Sequence, residues 1–394
     1  MLTQAGCLAR RKRLWEAVPE SIEWVLIADP RHVHYFCNFW VHPLSFSTCE
    51  RGLLLLERSG AATLMADNFA LRSAAPTDPF VDKRIVETFY DHKHSVINRD
   101  HVLFNAVKKI SDTVYGRPGA VEAEWLPVGA RELLGLDREA HSVSHEPEDP
   151  VRKGDLVDLG SIVRHLRRKK EPDEIELLKQ CMIATNAGHA RAFEIVASGV
   201  TEVEVYSEML AAATKAAGRA IVMYGDFRAT NAEVPKIGGL PTEYQLQSGD
   251  MLILDYSVMI DGYRSDFTNT IAVGGPSDDQ RMLYDLVTAA MAAGEAAIRA
   301  GALAKDVYRA TAAPLNASPY GATFTNHAGH GLGLGHPEPP IIVPESSDTL
   351  LAGDVITLEP GLYVEGIGGI RIEHNYLVTK SGYERLSNHD IRLE

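Results

Sequence analysis

Three histidines, His327, His330 and His336, stand within the glycine-rich stretch TNHAGHGLGLGHPEPP at 325–340. Glycine lets another chain or a ligand come close to the backbone, and an imidazole nitrogen binds a proton or a metal. On either side of this loop the chain repeats a pattern. SGDMLILDYS (248–257) and AGDVITLEPG (352–361) each open with a Gly-Asp turn and continue as an apolar strand. Each then places an acid five residues after the turn aspartate, Asp255 after Asp250 and Glu359 after Asp354. A carboxylate at the end of an apolar strand is costly to bury unless something neutralises it. The same offset used twice points to two related halves, each delivering a carboxylate to one shared place.

Each of these acids has a companion. DYSVMIDGYRSDFTNTIAVGG reads as a hairpin turning at Asp261-Gly262, a dipeptide suited to a type I′ turn. The predicted register pairs Ile260 with Tyr263 and Asp255 with Thr268, which makes Asp266 a diagonal neighbour of Asp255 on one face. In the second half, EPGLYVEGIGGIRIEHNYLVT is predicted to turn in the Gly368-Gly369 region, with Glu373 on the returning strand. Carboxylates this close repel and raise each other's pKa unless a cation sits between them. Four carboxylates and one imidazole make an oxygen-rich site for two divalent ions, with manganese, cobalt, iron and zinc all compatible. A two-metal site activates a water and clamps a developing oxyanion, which is the chemistry of hydrolysis.

The elements that must position these residues follow from pattern and composition. With 394 residues the chain is long enough for two domains. The basic run RHLRRKK (164–170) marks the boundary and reads as a solvated linker, giving domains 1–165 and 166–394. In the first, IEWVLIADP and RGLLLLERSGAATLMADN read as strands with a turn at Ser59-Gly60, and DHVLFNAVKKISDTV reads as a helix, so an α/β domain is expected. The second begins with a helix from Pro172 to just before Gly199, then one opened by a Thr201/Glu204 capping box. Long strands follow, and an α+β domain is expected. A G-x-G-x-x-G or G-K-[ST] phosphate loop is missing from the sequence. A formal charge of −14 speaks against nucleic-acid binding, and no apolar run reaches membrane-spanning length. The start shows no signal-peptide pattern, and four scattered cysteines suit a reducing cytoplasm.

With those residues in view, the sequence resembles the metallopeptidase family of methionine aminopeptidase, aminopeptidase P and prolidase, and most resembles its prolidase-like branch. The resemblance runs through ADPRHVHYFCNFW, KKEPDEIELLKQC and the whole second domain. It implies a creatinase-like α/β N-terminal domain and a pita-bread α+β catalytic domain with two pseudo-symmetric halves. It implies a metal-ligand set of Asp255, Asp266, His330, Glu359 and Glu373, with Asp266 and Glu373 bridging two ions and Glu359 also moving protons. By the same resemblance His336 matches a histidine that hydrogen-bonds the substrate or the tetrahedral intermediate, and relatives are often homodimers. Arg371, two residues before Glu373, is a candidate to orient a carboxylate or a ligand, or else to pair with a metal-site acid.

The departures fall on the substrate side. Relatives space their two loop histidines one residue further apart than His330 and His336, and carry histidine where this chain has Asn326, with His327 displaced by one. In NAEVPKIGG, Lys236 stands where relatives place a histidine that helps seat substrate. His374 follows Glu373 where an acid is common. The expected activity is hydrolysis of the Xaa-Pro bond in dipeptides or short peptides. Lys236 and the shortened loop favour an alternative on the same scaffold, a non-peptide C–N hydrolase of creatinase type or a lyase. Retention of all five ligands speaks against a third class, a non-catalytic binding protein.

Overall fold

The structure, a computed structural model, describes residues 1–45, 51–74, 78–91, 93, 99–136, 140–142, 156–324 and 327–394. It divides into two compact units, Met1–Arg167 and Arg168–Glu394. Among the described residues no helix is long and apolar enough to cross a membrane.

The first unit is a seven-stranded sheet with helices against it. Its elements in chain order are α1 (Gln4–Ala17), β1 (Trp24–Ile27), α2 (Pro30–Cys37), β2 (Leu53–Glu57), β3 (Ala62–Asp67), α3 (Asn68–Ser73), β4 (Lys83–Glu87), α4 (Arg99–Lys108), α5 (Ser111–Val114), β5 (Gly119–Val121), α6 (Val128–Leu133), β6 (Ala140–Ser142), β7 (Leu156–Asp158) and α7 (Gly160–Leu166). The sheet order is β4-β3-β2-β1-β5-β7-β6, with parallel and antiparallel pairs mixed. The expected strands and the turn after Glu57 are present, but the helix expected across DHVLFNAVKKISDTV is broken into α4 and α5. Lys109 and Ile110 close tight turns onto Ala106 and Val107 there, which buries Ile110 in the core.

The second unit repeats a motif of two helices followed by strands. The first half has α8 (Pro172–Ile195), α9 (Glu202–Ala217), β8 (Val222–Thr230), β9 (Met251–Ile260), β10 (Tyr263–Arg264) and β11 (Phe267–Ala272). The second has α10 (Asp278–Ala297), α11 (Ala304–Asn316), β12 (Gly329–Gly331), β13 (Glu338–Ile342), β14 (Val355–Leu358), β15 (Gly361–Val364), β16 (Gly368–Arg371), β17 (His374–Val378) and β18 (Tyr383–Arg385). Strand β9 pairs with β8, β10 and β11; a second sheet runs β13-β12-β14-β17-β18, and β15 pairs with β16. The helices stiffen the strands that carry the acids. Tyr256 of β9 donates to Thr185 O of α8 at 2.6 Å, and Tyr263 donates to Glu174 Oε1 at 2.9 Å. In the other half Leu283, Val287 and Met291 of α10 share a core with Ile356, Leu358 and Ile370. Burying each such side chain contributes about 1.5–3 kcal/mol, so the strand ends are held by packing on their far faces.

Local signals explain these boundaries. Thr201 and Glu204 form the expected capping box, with Thr201 N donating to Glu204 Oε2 at 2.7 Å and Glu204 N donating to Thr201 Oγ1 at 3.2 Å. Asp261 and Gly262 take φ of 48° and 82°, and the register pairs Ile260 with Tyr263 and Asp255 with Thr268. The basic run behaves differently from a solvated linker: Arg167, Arg168 and Lys170 are buried. Arg168 binds both oxygens of Asp354, and Lys170 Nζ pairs with Glu338 Oε1 at 2.9 Å, so these cations are consumed by buried acids. The second hairpin turns at residues 365–367, earlier than expected. Gly366 takes φ of 85° there, and Gly368 and Gly369 already belong to the returning strand. Cys7, Cys37 and Cys181 are buried free thiols, and burial pushes Cys37 and Cys181 up to about 12. Cys49 lies outside the described residues.

Candidate metal centre

The two repeated segments build equivalent turns. Asp250 Oδ2 accepts from Gln247 N at 2.8 Å and Asp354 Oδ2 accepts from Leu351 N at 2.7 Å, with Gly249 and Gly353 at φ of 96° and 101°. Each turn launches a buried strand, and alternation carries the acid five residues on to the open face. Asp255 sits within β9, opposite Thr268 on one side and Asp226 on the other. Asp266 occupies the gap between β10 and β11. Glu359 and Glu373 occupy the gaps where β14 gives way to β15 and β16 to β17. The register runs unbroken from Leu358↔His374 to Gly361↔Arg371, which sets Glu359 across from Glu373. Glu373 N donates to Thr268 O at 3.1 Å and joins the two halves at this point.

His330 comes from a strand rather than the loop expected from its glycines. Gly329–Gly331 is β12, wedged between β13 and β14. A Cβ at Gly329 would lie 2.0 Å from Thr357 O, and one at Gly331 would lie 2.2 Å from Pro339 O. The glycines therefore let neighbouring strands approach, which fixes the His330 backbone. Its Nδ1–H donates to Gly331 O at 2.9 Å, leaving Nε2 as a lone pair. Nε2 lies 3.4 Å from both Asp266 Oδ2 and Glu359 Oε1. Equal spacing from two acids is what a ligand shared with them through a cation would show.

The charges do not balance without such a cation. Burial pushes the Asp255 carboxyl up to about 6, with the charges of Asp266 and Glu359 adding to it and Arg371 opposing. Burial, then Asp266, Glu359 and Asp255, hold Glu373 well above the usual carboxylate range. Asp266 and Glu359 are also buried, but hydrogen bonds to His336 and His327 outweigh burial and lower them. Glu373 Oε2 accepts from Thr268 Oγ1 at 2.7 Å, while its buried Oε1 has no partner among the described residues. An orphaned carboxylate oxygen among three further acids and a histidine lone pair fits a hard or borderline divalent cation. Three overlapping groups have ligand atoms within 4.8 Å of one another: Asp266, His330 and His336; His327, His330 and Glu359; and Asp255, Glu359 and Glu373. All five residues expected as ligands are among them.

The residues expected on the substrate side are distributed around this cluster. His336 Nε2 lies 2.6 Å from Asp266 Oδ2. Burial works against its charged form, but the bond to Asp266 and that acid's charge raise its pKa overall, with Arg264 opposing. Glu338, neutralised by Lys170, accepts from Gly335 N at 3.0 Å and orders the chain next to His336. His327 Nε2 lies 2.9 Å from Glu359 Oε1, and that bond raises its pKa. Arg371 is engaged by acids: it pairs with Asp255 and lies 3.0 Å from Asp226 Oδ2. Lys236 is exposed, with Nζ 4.8 Å from the centre of the Tyr363 ring. His374 points to the opposite face from Glu373, bonds Ser387 Oγ at 2.8 Å and is held neutral by burial, its pKa down to about 2. Asn326 lies outside the described residues. Sequence reasoning missed Asp226, Tyr224, Tyr363 and Arg264. Of these only Arg264 carried a signal, since it stands two residues before Asp266 and so shares its strand face.

The model of metallopeptidase family M24 matches residues 176–380. The chain is 33% identical over 269 residues to the Xaa-Pro dipeptidase of Pyrococcus furiosus, covering 66% of this chain and 75% of that one. In fold it is similar to the prolidase from Pyrococcus horikoshii (TM-score 0.74, 23% identity, 98% of this chain and 99% of that one). It is as similar to the X-Pro aminopeptidase from Thermotoga maritima (TM-score 0.76, 20% identity, 98% of each chain).

Proposed function

The chain belongs to metallopeptidase family M24, and from that premise we propose that it hydrolyses Xaa-Pro bonds in dipeptides or short peptides with two divalent ions. Its fold is a creatinase-like α/β domain followed by a pita-bread domain. The observation that carries the metal reading is the unpartnered Oε1 of Glu373 facing a cluster of acids around the His330 lone pair. The Pyrococcus furiosus relative supports the substrate class.

Asp255, Asp266, His330, Glu359 and Glu373 would hold the ions, with manganese, cobalt, zinc or iron all suited to these donors. Ions held there would supply Lewis acidity toward a scissile carbonyl and would make a bound water more acidic. Glu359, held by His327, accepts the proton of the attacking water and returns it to the leaving proline nitrogen. His336, its charged form favoured by Asp266, donates to the developing oxyanion. Arg371 fixes Asp255 from behind and so acts by orienting a ligand. The same reading carries a homodimer in a reducing cytoplasm, with a small peptide as substrate.

One observation favours a second reading. Lys236 supplies only donors where relatives place a histidine, and a non-peptide C–N hydrolase or lyase would accommodate that change. Hydrolysis of Xaa-Pro dipeptides and Xaa-Pro-Xaa tripeptides, after stripping metal and reloading manganese, cobalt or zinc, separates the two. Metal-dependent release of the N-terminal residue is expected; silence across the panel with metal bound would transfer the assignment to the second reading.

A further inference from the structure

Arg371 is one cation set between two acids of neighbouring strands. Asp226 of β8 and Asp255 of β9 stand directly opposite each other, where paired side chains lie about 5 Å apart and like charges repel. A single nitrogen of Arg371, Nη2, serves both. It pairs with Asp255 Oδ2 and donates to Asp226 Oδ2 at 3.0 Å, while Nη1 donates to Tyr363 Oη at 2.9 Å. Asp255 belongs to the cluster of acids around His330, whereas Asp226 is in none of the three groups of candidate ligands.

The other oxygen of Asp226 holds a loop. Oδ1 accepts from Gly239 N at 2.6 Å, and Gly239 O accepts from Phe227 N at 2.9 Å, so residue 239 is fastened back onto β8 by both its polar groups. A Cβ at Gly238 would lie 2.8 Å from both carboxylate oxygens, so the chain wraps Asp226 this closely only with glycine there. The segment so fastened, residues 231–240, passes the β15–β16 hairpin. Gly366 N donates to Ala232 O at 2.8 Å, and a Cβ at Gly369 would lie 2.1 Å from Pro235 O. It carries Lys236 over the Tyr363 ring. Through its two oxygens one carboxylate thus joins the loop that presents Lys236 to the arginine that holds a metal acid.

We propose that Asp226 is a positioning residue that fastens the 231–240 loop to Arg371, so that the order of this loop and metal binding at Asp255 are coupled. The coupling follows from the charges. In the metal-free site two acids share one guanidinium. With a divalent ion at Asp255, that carboxylate's charge is directed to the ion, and Arg371 relies on Asp226 for its counter-charge. The contact that seats the loop is then strengthened. By the same account, loss of the Asp226 charge leaves Arg371 to compete with the ion for Asp255. The inference rests on the metal reading and adds to it a residue outside the ligand set.

Wild type, Asp226→Ala and Asp226→Asn are compared by hydrogen exchange across residues 235–240, by calorimetric titration of manganese, and by kinetics on an Xaa-Pro dipeptide at saturating manganese. In wild type manganese is expected to slow the exchange. Asp226→Ala should exchange faster with or without manganese, bind manganese about 10- to 100-fold more weakly, and raise KM with kcat little changed. Asp226→Asn keeps an oxygen for Gly239 N, so its metal-free exchange should stay near that of wild type. Manganese should no longer slow that exchange and should bind as weakly as in Asp226→Ala. A merely structural role would lower Tm and leave manganese affinity unmoved. If Asp226→Asn binds manganese like wild type, or if wild type and Asp226→Ala exchange alike, the inference is overturned. If wild type takes up no manganese, the metal reading fails and the coupling with it. If it takes up manganese but cleaves no Xaa-Pro peptide, only the peptide reading fails, and exchange and titration still decide the role of Asp226.

Discussion

In the first unit His32 lies between Glu122 and Arg167, and in the second His330 lies between Asp266 and Glu359. The first group closes on itself. Glu122 Oε1 bonds His32 Nδ1, Glu122 Oε2 accepts from Ala28 N at 2.6 Å and Asp29 N at 2.7 Å, and Arg167 donates to His32 Nε2 at 2.7 Å. Asp29, next in the network, is gripped by Arg31 at 2.6 Å. Each oxygen of Glu122 has a donor and each charge a counter-charge, so the network ties α2 to β5 as structure. The second group does not close: four acids outnumber their cations, two are pushed up in pKa, and Glu373 keeps an unmatched oxygen. Burial of polar groups thus marks function only where the protein leaves the sum of charges for a ligand to complete.

The largest effect should come from breaking the open group. Asp266→Ala and His330→Ala are each expected to lower metal-dependent turnover by about a thousand-fold or more, since the ions supply several kcal/mol of transition-state stabilisation. Circular dichroism should show a folded protein, and elemental analysis should show less bound metal. Full activity in either variant would remove the assignment. Next in size is the closed group. Glu122→Ala strips His32 and two buried N–H groups of their acceptor, and breaking one partner of a buried pair costs about 3–5 kcal/mol. Urea unfolding should show that loss, while the metal content of the surviving folded protein stays at the wild-type value.

A sharper contrast comes from the sign of a third change. In the metal-free protein Glu373→Gln replaces a carboxyl that burial and three other acids force to take up a proton on folding, and it should stabilise by about 1 kcal/mol, opposite to Glu122→Ala. The pH dependence follows the same logic. Asp255 and Glu373 have raised folded-state pKa values, so above pH ~4 the native state holds protons that the unfolded chain has released. Stability of the metal-free wild type should therefore fall as pH rises through about 6 and beyond. Metal-loaded protein should move the other way over that range, because the ligands bind only when deprotonated. Thermal melts at pH 5, 6 and 8 with chelator or manganese read both slopes. Parallel slopes would mean that the cluster does not hold the ions.

Much of this site was legible because a strand's period is fixed. The Asp261-Gly262 turn determines the register, and the register puts Asp255 against Thr268 without any tertiary information. The second hairpin was less legible, since EGIGG offers three glycines and only packing selects Gly366 as the one in the left-handed region. GHG read as a loop because glycine is weak in strands; here β13 and β14 press so closely that only glycine fits. RHLRRKK read as solvated because its partners, Asp354 and Glu338, are far away in sequence. Asp226 was invisible for the same reason, as it acts through a strand pairing with no local motif.

The smallest expected effect lies at Lys236. Its ammonium rests over the Tyr363 ring, and burial together with the nearby Arg371 lowers its pKa. Tyr363 accepts from Arg371 Nη1 at 2.9 Å, and Arg371 pairs with Asp255, so Lys236 is three contacts away from a metal acid. A change there should alter how substrate is seated without changing metal content. Lys236→His restores a group that can accept as well as donate, and kcat/KM for Xaa-Pro dipeptides should rise by several-fold, about 1 kcal/mol or less. A sharp rise would show that the lysine limits a proline-peptide site. No change would make the residue peripheral, whereas a loss confined to one class of substrate would show that Lys236 is the contact by which this chain departs from its relatives.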